Sequence, residues 1–289
     1  MLEWGKHYVM VRPDHFRVDY VINPYMDTQL QPDPARTHDQ WNHLVATIEA
    51  AGGRVDVIGQ RADSPDMVYA MNLGLATVSA AGRPHLVLSH MRYDERRLEC
   101  DTTQPWFGDR GFSTSWVGRD GVGAHFEAGD AFAWGDALVV GYGPRTEELG
   151  LKMLANELGI RVRGFRITHP GMYHLDLAFC PLDERRAMVC PSAFDEESAQ
   201  ALLDLVPEPL VLTEQEALTF CANSVVVGST VVMPTTPVRV GRILEGWGFD
   251  VVTCDVSEFL KAGGGCRCLT LALDVELASP PHGEPAPPS

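Results

Sequence analysis

No stretch of this sequence approaches the roughly 18–20 uncharged apolar residues that a membrane-crossing helix requires. Basic residues are also scarce: 23 Lys and Arg stand against 39 Asp and Glu, a formal charge of −16. That balance argues against a nucleic acid or an anionic membrane as partner, since both reward clustered cations. It agrees with a cationic small-molecule substrate, although acidic surfaces also serve solubility. The seven cysteines are odd in number and contain no Cys-x-x-Cys pair. With an N-terminus that lacks the basic and then apolar regions of a secretory signal, they are expected to be reduced thiols in a cytoplasmic protein. Zinc is not expected, because the one close pair, Cys266 and Cys268, has no accompanying His-x₃₋₅-His. No other cofactor is expected.

What remains is a globular composition, 45% apolar and 21% charged over 289 residues. It suits a single domain over 1–277, followed by a tail, Ala278–Ser289, whose five prolines predict disorder. His38 to Ala51 carries apolar residues at helical spacing (Trp41, Leu44, Val45, Ile48) and stops at Gly52-Gly53. Strand Arg54–Ile58 follows. From there one pattern recurs: a hairpin with a tight Gly or Asp turn, a helix, and a further strand. Its copies begin near Phe126, Tyr173, Cys221 and Gly265, at spacings of 47, 48 and 44 residues. An earlier copy starts at Pro65 and is interrupted by a loop insertion across Asp101–Gly123, in which Trp106-Phe107-Gly108 suggests a lid. The N-terminal Val9–Val11 could complete the last copy. Repeats of this length stack or close on themselves. The expected fold is therefore α/β, a five-fold pseudosymmetric propeller of ββαβ units around a central channel.

Closure would bring together residues about 45 apart in sequence: Asn72, Glu127, His174, Asp176 and Cys268, each on or near the first strand of a unit. Gly263-Gly264-Gly265 leaves the backbone free for tight turns just before Cys266 and Cys268. A Cys becomes nucleophilic as a thiolate, a His can protonate a leaving amine and then activate water, and carboxylates can clamp a planar cation. Together these groups specify attack of sulfur on the carbon of a guanidinium. Each residue also has a plainer use: His174 as a satisfied core histidine, Asp130 as a turn residue, Asn223 as a structural amide, Arg96 and Arg97 as a solvated basic face. Cys180, Cys190, Cys221 and Cys254 read as packing.

Four motifs, Pro65-Asp66-Met67-Val68-Tyr69-Ala70-Met71-Asn72, Phe126-Glu127-Ala128-Gly129-Asp130, Tyr173-His174-Leu175-Asp176 and Gly263-Gly264-Gly265-Cys266-Arg267-Cys268-Leu269-Thr270-Leu271, occur in this order. In that order they resemble the guanidino-group modifying enzymes: arginine deiminases, dimethylarginine dimethylaminohydrolases, amidinotransferases and arginine dihydrolases. The resemblance runs from Val11 to Leu273 and implies the five-fold propeller known as the pentein fold. It implies Cys268 as nucleophile, His174 as acid and base, and Glu127 and Asp176 as carboxylates that bind the guanidinium. It places Asp66, Arg96 and Arg145 at the amino and carboxylate ends of a substrate. Asn72 stands where deiminases and dimethylargininases carry a carboxylate, and with Asn23 it follows arginine dihydrolases, which release ornithine. The implied activity is hydrolysis of arginine or a derivative to ammonia and citrulline or ornithine. Dimethylarginine hydrolysis, amidino transfer and non-catalytic guanidine binding are the alternatives, and a homodimer is compatible with the resemblance.

Overall fold

The computed structural model describes residues 5–79, 82–119 and 122–277; the tail expected from Ala278 lies outside them. Among the described residues, five three-stranded sheets carry the architecture. Each contains one antiparallel pair, then a helical crossover to a strand paired parallel. Ala131–Trp134 pairs antiparallel with Ala137–Tyr142, which pairs parallel with Arg161–Arg166 after helix Glu148–Leu158. Phe179–Pro181, Arg186–Val189, helix Glu196–Leu205 and Glu208–Val211 repeat the order. Val225–Val227, Thr230–Met233, helix Val238–Gly246 and Asp250–Thr253 repeat it again.

The fifth sheet joins the two ends of the chain. Leu271–Ala272 pairs antiparallel with His7–Val11, Val9 opposite Leu271, and His7–Val11 pairs parallel with Arg54–Ile58. The crossover helix between them runs Pro34–Ala50, so it begins ahead of the expected His38. The Asp33 carboxylate accepts from the Arg36 amide, and Pro34 at the first helical position has no amide to leave unpaired. Its Trp41, Leu44 and Ile48 are buried against the sheet, each contributing roughly 1.5–3 kcal/mol by removal from water.

The insertion in the second unit is not a loop. Helix Leu98–Gly108 and strand Ser113–Trp116 complete the sheet begun by Gly74–Val78 and Pro84–Leu88. Phe107, expected in a lid, is wholly buried in that sheet's core, because an apolar side chain on the inner face of a crossover helix gains more from packing than from water. Four of the candidate residues also sit just ahead of their strands rather than on them. Asn72 lies in the turn Ala70–Leu73 and Asp176 in Leu175–Leu177, while Glu127 and His174 are the extended residues that enter such turns.

These turns are tied to one another in sequence. The Gly129 amide donates to Asn72 Oδ1 (2.9 Å), Leu175 N to Asp130 Oδ1 (2.9 Å), Asn223 Nδ2 to the Asp176 carbonyl (3.2 Å) and Cys268 N to Asn223 Oδ1 (3.1 Å). The Met71 amide then donates to the Cys268 carbonyl at 3.0 Å, which returns the series to its first member. Asp130 thus bonds the next unit's backbone rather than its own turn.

Candidate active site

The glycine turn that carries Cys268 is gripped from several sides. Tyr173 Oη donates to the Gly263 carbonyl (2.6 Å), and Asn23 Nδ2 donates to Ala262 O (3.0 Å). Gly263 has φ +87°, a left-handed conformation that favours glycine, and Gly264 lies so close to Tyr69 that a Cβ there would meet the ring at 2.2 Å. Asn23 therefore serves the turn from outside, with its Oδ1 accepting from Tyr25 N (3.0 Å).

Cys268 is 3% exposed. Its sulfur lies 3.3 Å from Asp176 Oδ2, to which the thiol can donate, and 3.1 Å from Asn223 Nδ2. Burial, reinforced by the Asp176 charge, pushes the thiol well above its usual range. Burial likewise pushes Asp176 up to about 7, against hydrogen bonds from Cys268 and Asn223 and the charge of Arg267. Asp176 Oδ1 is buried with no hydrogen-bond partner among the described residues. A carboxylate that keeps one oxygen bare in the interior is matched to an incoming donor.

His174 Nε2 is 2.8 Å from Glu127 Oε2, and both residues are buried. Asn72 Oδ1, His174 Nδ1 and Asp176 Oδ2 all surround Gly129: a Cβ there would stand 2.9, 3.2 and 3.4 Å from them. The imidazole thus turns Nε2 to Glu127, while its Nδ1 borders Gly129 together with the Asp176 that touches Cys268. The Glu127 oxygens also accept from Arg145 Nη1 (3.0 Å) and the Arg92 amide (2.9 Å). Burial works to raise Glu127, but Arg145 and His174 together outweigh it and hold the carboxyl well below the usual range. Its oxygens are occupied by His174, Arg145 and the Arg92 amide, whereas Asp176 keeps Oδ1 without a partner among the described residues.

Arg145 is buried between the rings of Tyr93 (4.8 Å) and Tyr173 (4.6 Å) and donates to the Ile22 carbonyl. Arg96 is 4% exposed, so the solvated basic face is wrong for it. Glu99 holds its guanidinium by two bonds, 2.8 and 2.9 Å, and Arg96 Nη2 also reaches the Asp66 carbonyl (3.2 Å). Arg97 is the partly exposed one and pairs with Asp94. Asp66 is buried and raised to about 6 by that burial, against the charge of Arg96 and a hydrogen bond from Tyr20. The sequence did not single out Glu99 or Tyr93, gave Tyr173 no role of its own within its motif, and left Asn223 as a structural amide. An aromatic or acid outside a motif carries no mark of the residue it will face. Among the described residues, no group of three or more His, Cys, Asp or Glu side chains is arranged to hold a metal ion, and no helix is long and apolar enough to cross a membrane.

An α/β chain of repeated sheets with a buried thiol, imidazole and acids at the turns between them defines the class of guanidino-group modifying proteins, and comparison with known proteins agrees. The family described as N,N-dimethylarginine dimethylhydrolase, eukaryotic, matches residues 12–275, and the chain belongs to it. It is 32% identical to the N(G),N(G)-dimethylarginine dimethylaminohydrolase of Mycobacterium tuberculosis, over 93% of this chain and 86% of that protein. It is 34% identical to the bifunctional arginine dihydrolase/ornithine cyclodeaminase AgrE of a Nostoc species, over 95% of this chain but only 39% of that longer protein. Among solved structures, the N-terminal domain of the cyanobacterial arginine dihydrolase ArgZ, bound to its substrate, superposes with a TM-score of 0.87 at 32% identity, covering 94% of this chain and 99% of that one.

Proposed function

We propose that the chain is a cysteine-dependent hydrolase of the guanidino group of arginine or an arginine derivative, working as a single catalytic domain over 1–277. Its fold would be the five-fold α/β propeller of ββαβ units, the pentein fold. The five like-ordered sheets, the pairing of the chain's two ends and the returning series of hydrogen bonds support that architecture. One observation carries the chemistry: Cys268 Sγ stands 3.3 Å from a buried carboxylate with a bare second oxygen, and that carboxylate shares the border of Gly129 with an imidazole fixed by Glu127.

Asp176 would take two N–H groups of a guanidinium, one on its bare Oδ1 and one in place of the thiol proton. The arriving cation offsets the burial and the Asp176 charge that hold the thiol up, so the thiol gives its proton to His174 and the thiolate forms where the substrate is bound. Sγ attacks the guanidinium carbon; the C–N bond breaks, and His174 gives the departing nitrogen its proton, releasing ammonia. Water, losing a proton to His174, attacks the resulting amidino-thioether, and the C–S bond breaks to return the thiolate and free citrulline. Glu127 holds the imidazole through Nε2. Asp66, Arg96 and Arg145 would meet the amino and carboxylate ends.

Asn72 and Asn23 favour the dihydrolase branch. An amide at Asn72 carries no charge that requires a cationic partner, so neutral citrulline could occupy the same site for a second round ending in ornithine. A second reading, dimethylarginine hydrolysis, is favoured by the family match and the mycobacterial relative. Incubation with arginine, citrulline and methylated arginines, with ammonia, methylamines, citrulline and ornithine measured, separates the two. Ornithine from arginine is the expected result. Methylamines alone would exclude the dihydrolase reading, and product formed only with an added acceptor amine would mark a transferase.

A further inference from the structure

Asn223 is buried at the centre of the site and touches the sulfur that would react. Its Oδ1 receives two backbone amides, Gly265 N and Cys268 N, each at 3.1 Å. Only an oxygen can accept both, so the amide orientation is fixed by the network around it. Nδ2 must then lie on the other side, where its hydrogens meet the Asp176 carbonyl (3.2 Å) and Cys268 Sγ (3.1 Å). The sulfur consequently has one acceptor beside it, Asp176 Oδ2, and one donor, Asn223 Nδ2. The thiol form is served by the first and the thiolate by the second.

We infer that Asn223 is a further catalytic residue, whose Nδ2–H holds Cys268 as a thiolate before attack and receives the sulfur again when the C–S bond breaks. This deepens the thiol-hydrolase reading and rests on it. A thioether is a weak acceptor, so the hydrogen bond is strong when the sulfur is anionic and weak while it carries the amidino group. Its effect therefore falls on the two steps in which charge gathers on sulfur, as a donor does in an oxyanion hole. The same side chain fixes the turn through Oδ1, so both functions sit on one planar group.

The test separates them. Asn223→Asp retains an Oδ1 for Gly265 and Cys268 but presents an acceptor to the sulfur, while Asn223→Ser takes away the amide donor and Oδ1 together without adding charge. The rate of Cys268 alkylation by iodoacetamide, followed against pH by peptide mass spectrometry in the folded full-length protein, reports the thiolate without any substrate. In N223D the titration should move up by more than about one pH unit, which lowers the rate near neutrality at least about tenfold. N223S should shift the same way by less, and both variants should turn over arginine more slowly than the parent. Unshifted titrations in variants that melt like the parent overturn the role of Asn223 and leave the hydrolase reading intact. If N223D does not fold, the N223S titration decides by the same shift. A parent protein that turns over no guanidine and whose Cys268 is unreactive would instead remove the reading beneath it.

Discussion

At the scale of single residues, the chemistry depends on which of two neighbouring thiols meets Asp176. Cys268 does, at 3.3 Å, whereas Cys266 is buried in the apolar cluster with Tyr8, Phe259 and Cys254 and contacts the Cys254 thiol. Cys268→Ala is expected to abolish turnover of arginine while leaving the circular dichroism spectrum and melting curve of the parent. Cys266→Ala should keep most of the activity and lose some stability, because it leaves a small cavity. The reverse pattern in steady-state assays would mean that the wrong thiol has been assigned. Cys268, His174 and Asp176 stand out as candidates in the sequence, since few side chains can act as nucleophile, proton carrier or cation clamp. The partners of Glu127 do not: a carboxylate serves a guanidinium or a histidine equally well until its neighbours are placed.

At the scale of elements, the glycine-rich segment before Cys268 is a fitted turn, and each glycine is required for its own reason. Gly264 is held by proximity alone, with Tyr69 against its face and the Tyr69 hydroxyl donating to Phe259 O at 2.7 Å. Gly264→Ala must displace that ring. Thermal or urea unfolding should show a loss of about 1–3 kcal/mol, the usual consequence of overpacking a core, with turnover reduced more than stability because Cys268 moves with the turn. A variant as stable and active as the parent would show that Tyr69 does not constrain the segment. Helices and hairpins were readable here from apolar period and turn residues, and strand Arg54–Ile58 occurs as expected. The insertion reads as a loop because its helix carries Glu99 and Asp101 in the first turn and Pro105 inside it, so its large buried apolar side chain, Phe107, shows only in packing.

At the scale of the whole molecule, the site concentrates buried acids in a protein already rich in negative charge. Burial raises Asp66 and Asp130 from an ordinary 3.8 to about 6, Asp176 to about 7, and Glu99 from 4.5 to about 7. Between those ordinary and raised values the native state binds more protons than the unfolded chain, so stability is highest at the acid end of the window and declines as pH rises to about 7. Glu127 acts in the opposite sense, but its lowered value places that loss in stronger acid, below 4.5. Without ligand, the melting temperature should therefore fall between pH 5 and pH 8. A rise over that range in differential scanning calorimetry would mean that the acids are already compensated by their arginines.

The sequence by itself determined the repeating order of hairpin, helix and strand, and the residue types able to act on a guanidinium, because both follow from local spacing and from side-chain chemistry. Only the tertiary structure decided which acid faces the sulfur, which one steadies the imidazole, and that Asn223 turns its nitrogen to Cys268. Those assignments depend on the direction of single hydrogen bonds between units distant in the chain, and direction has no trace in spacing.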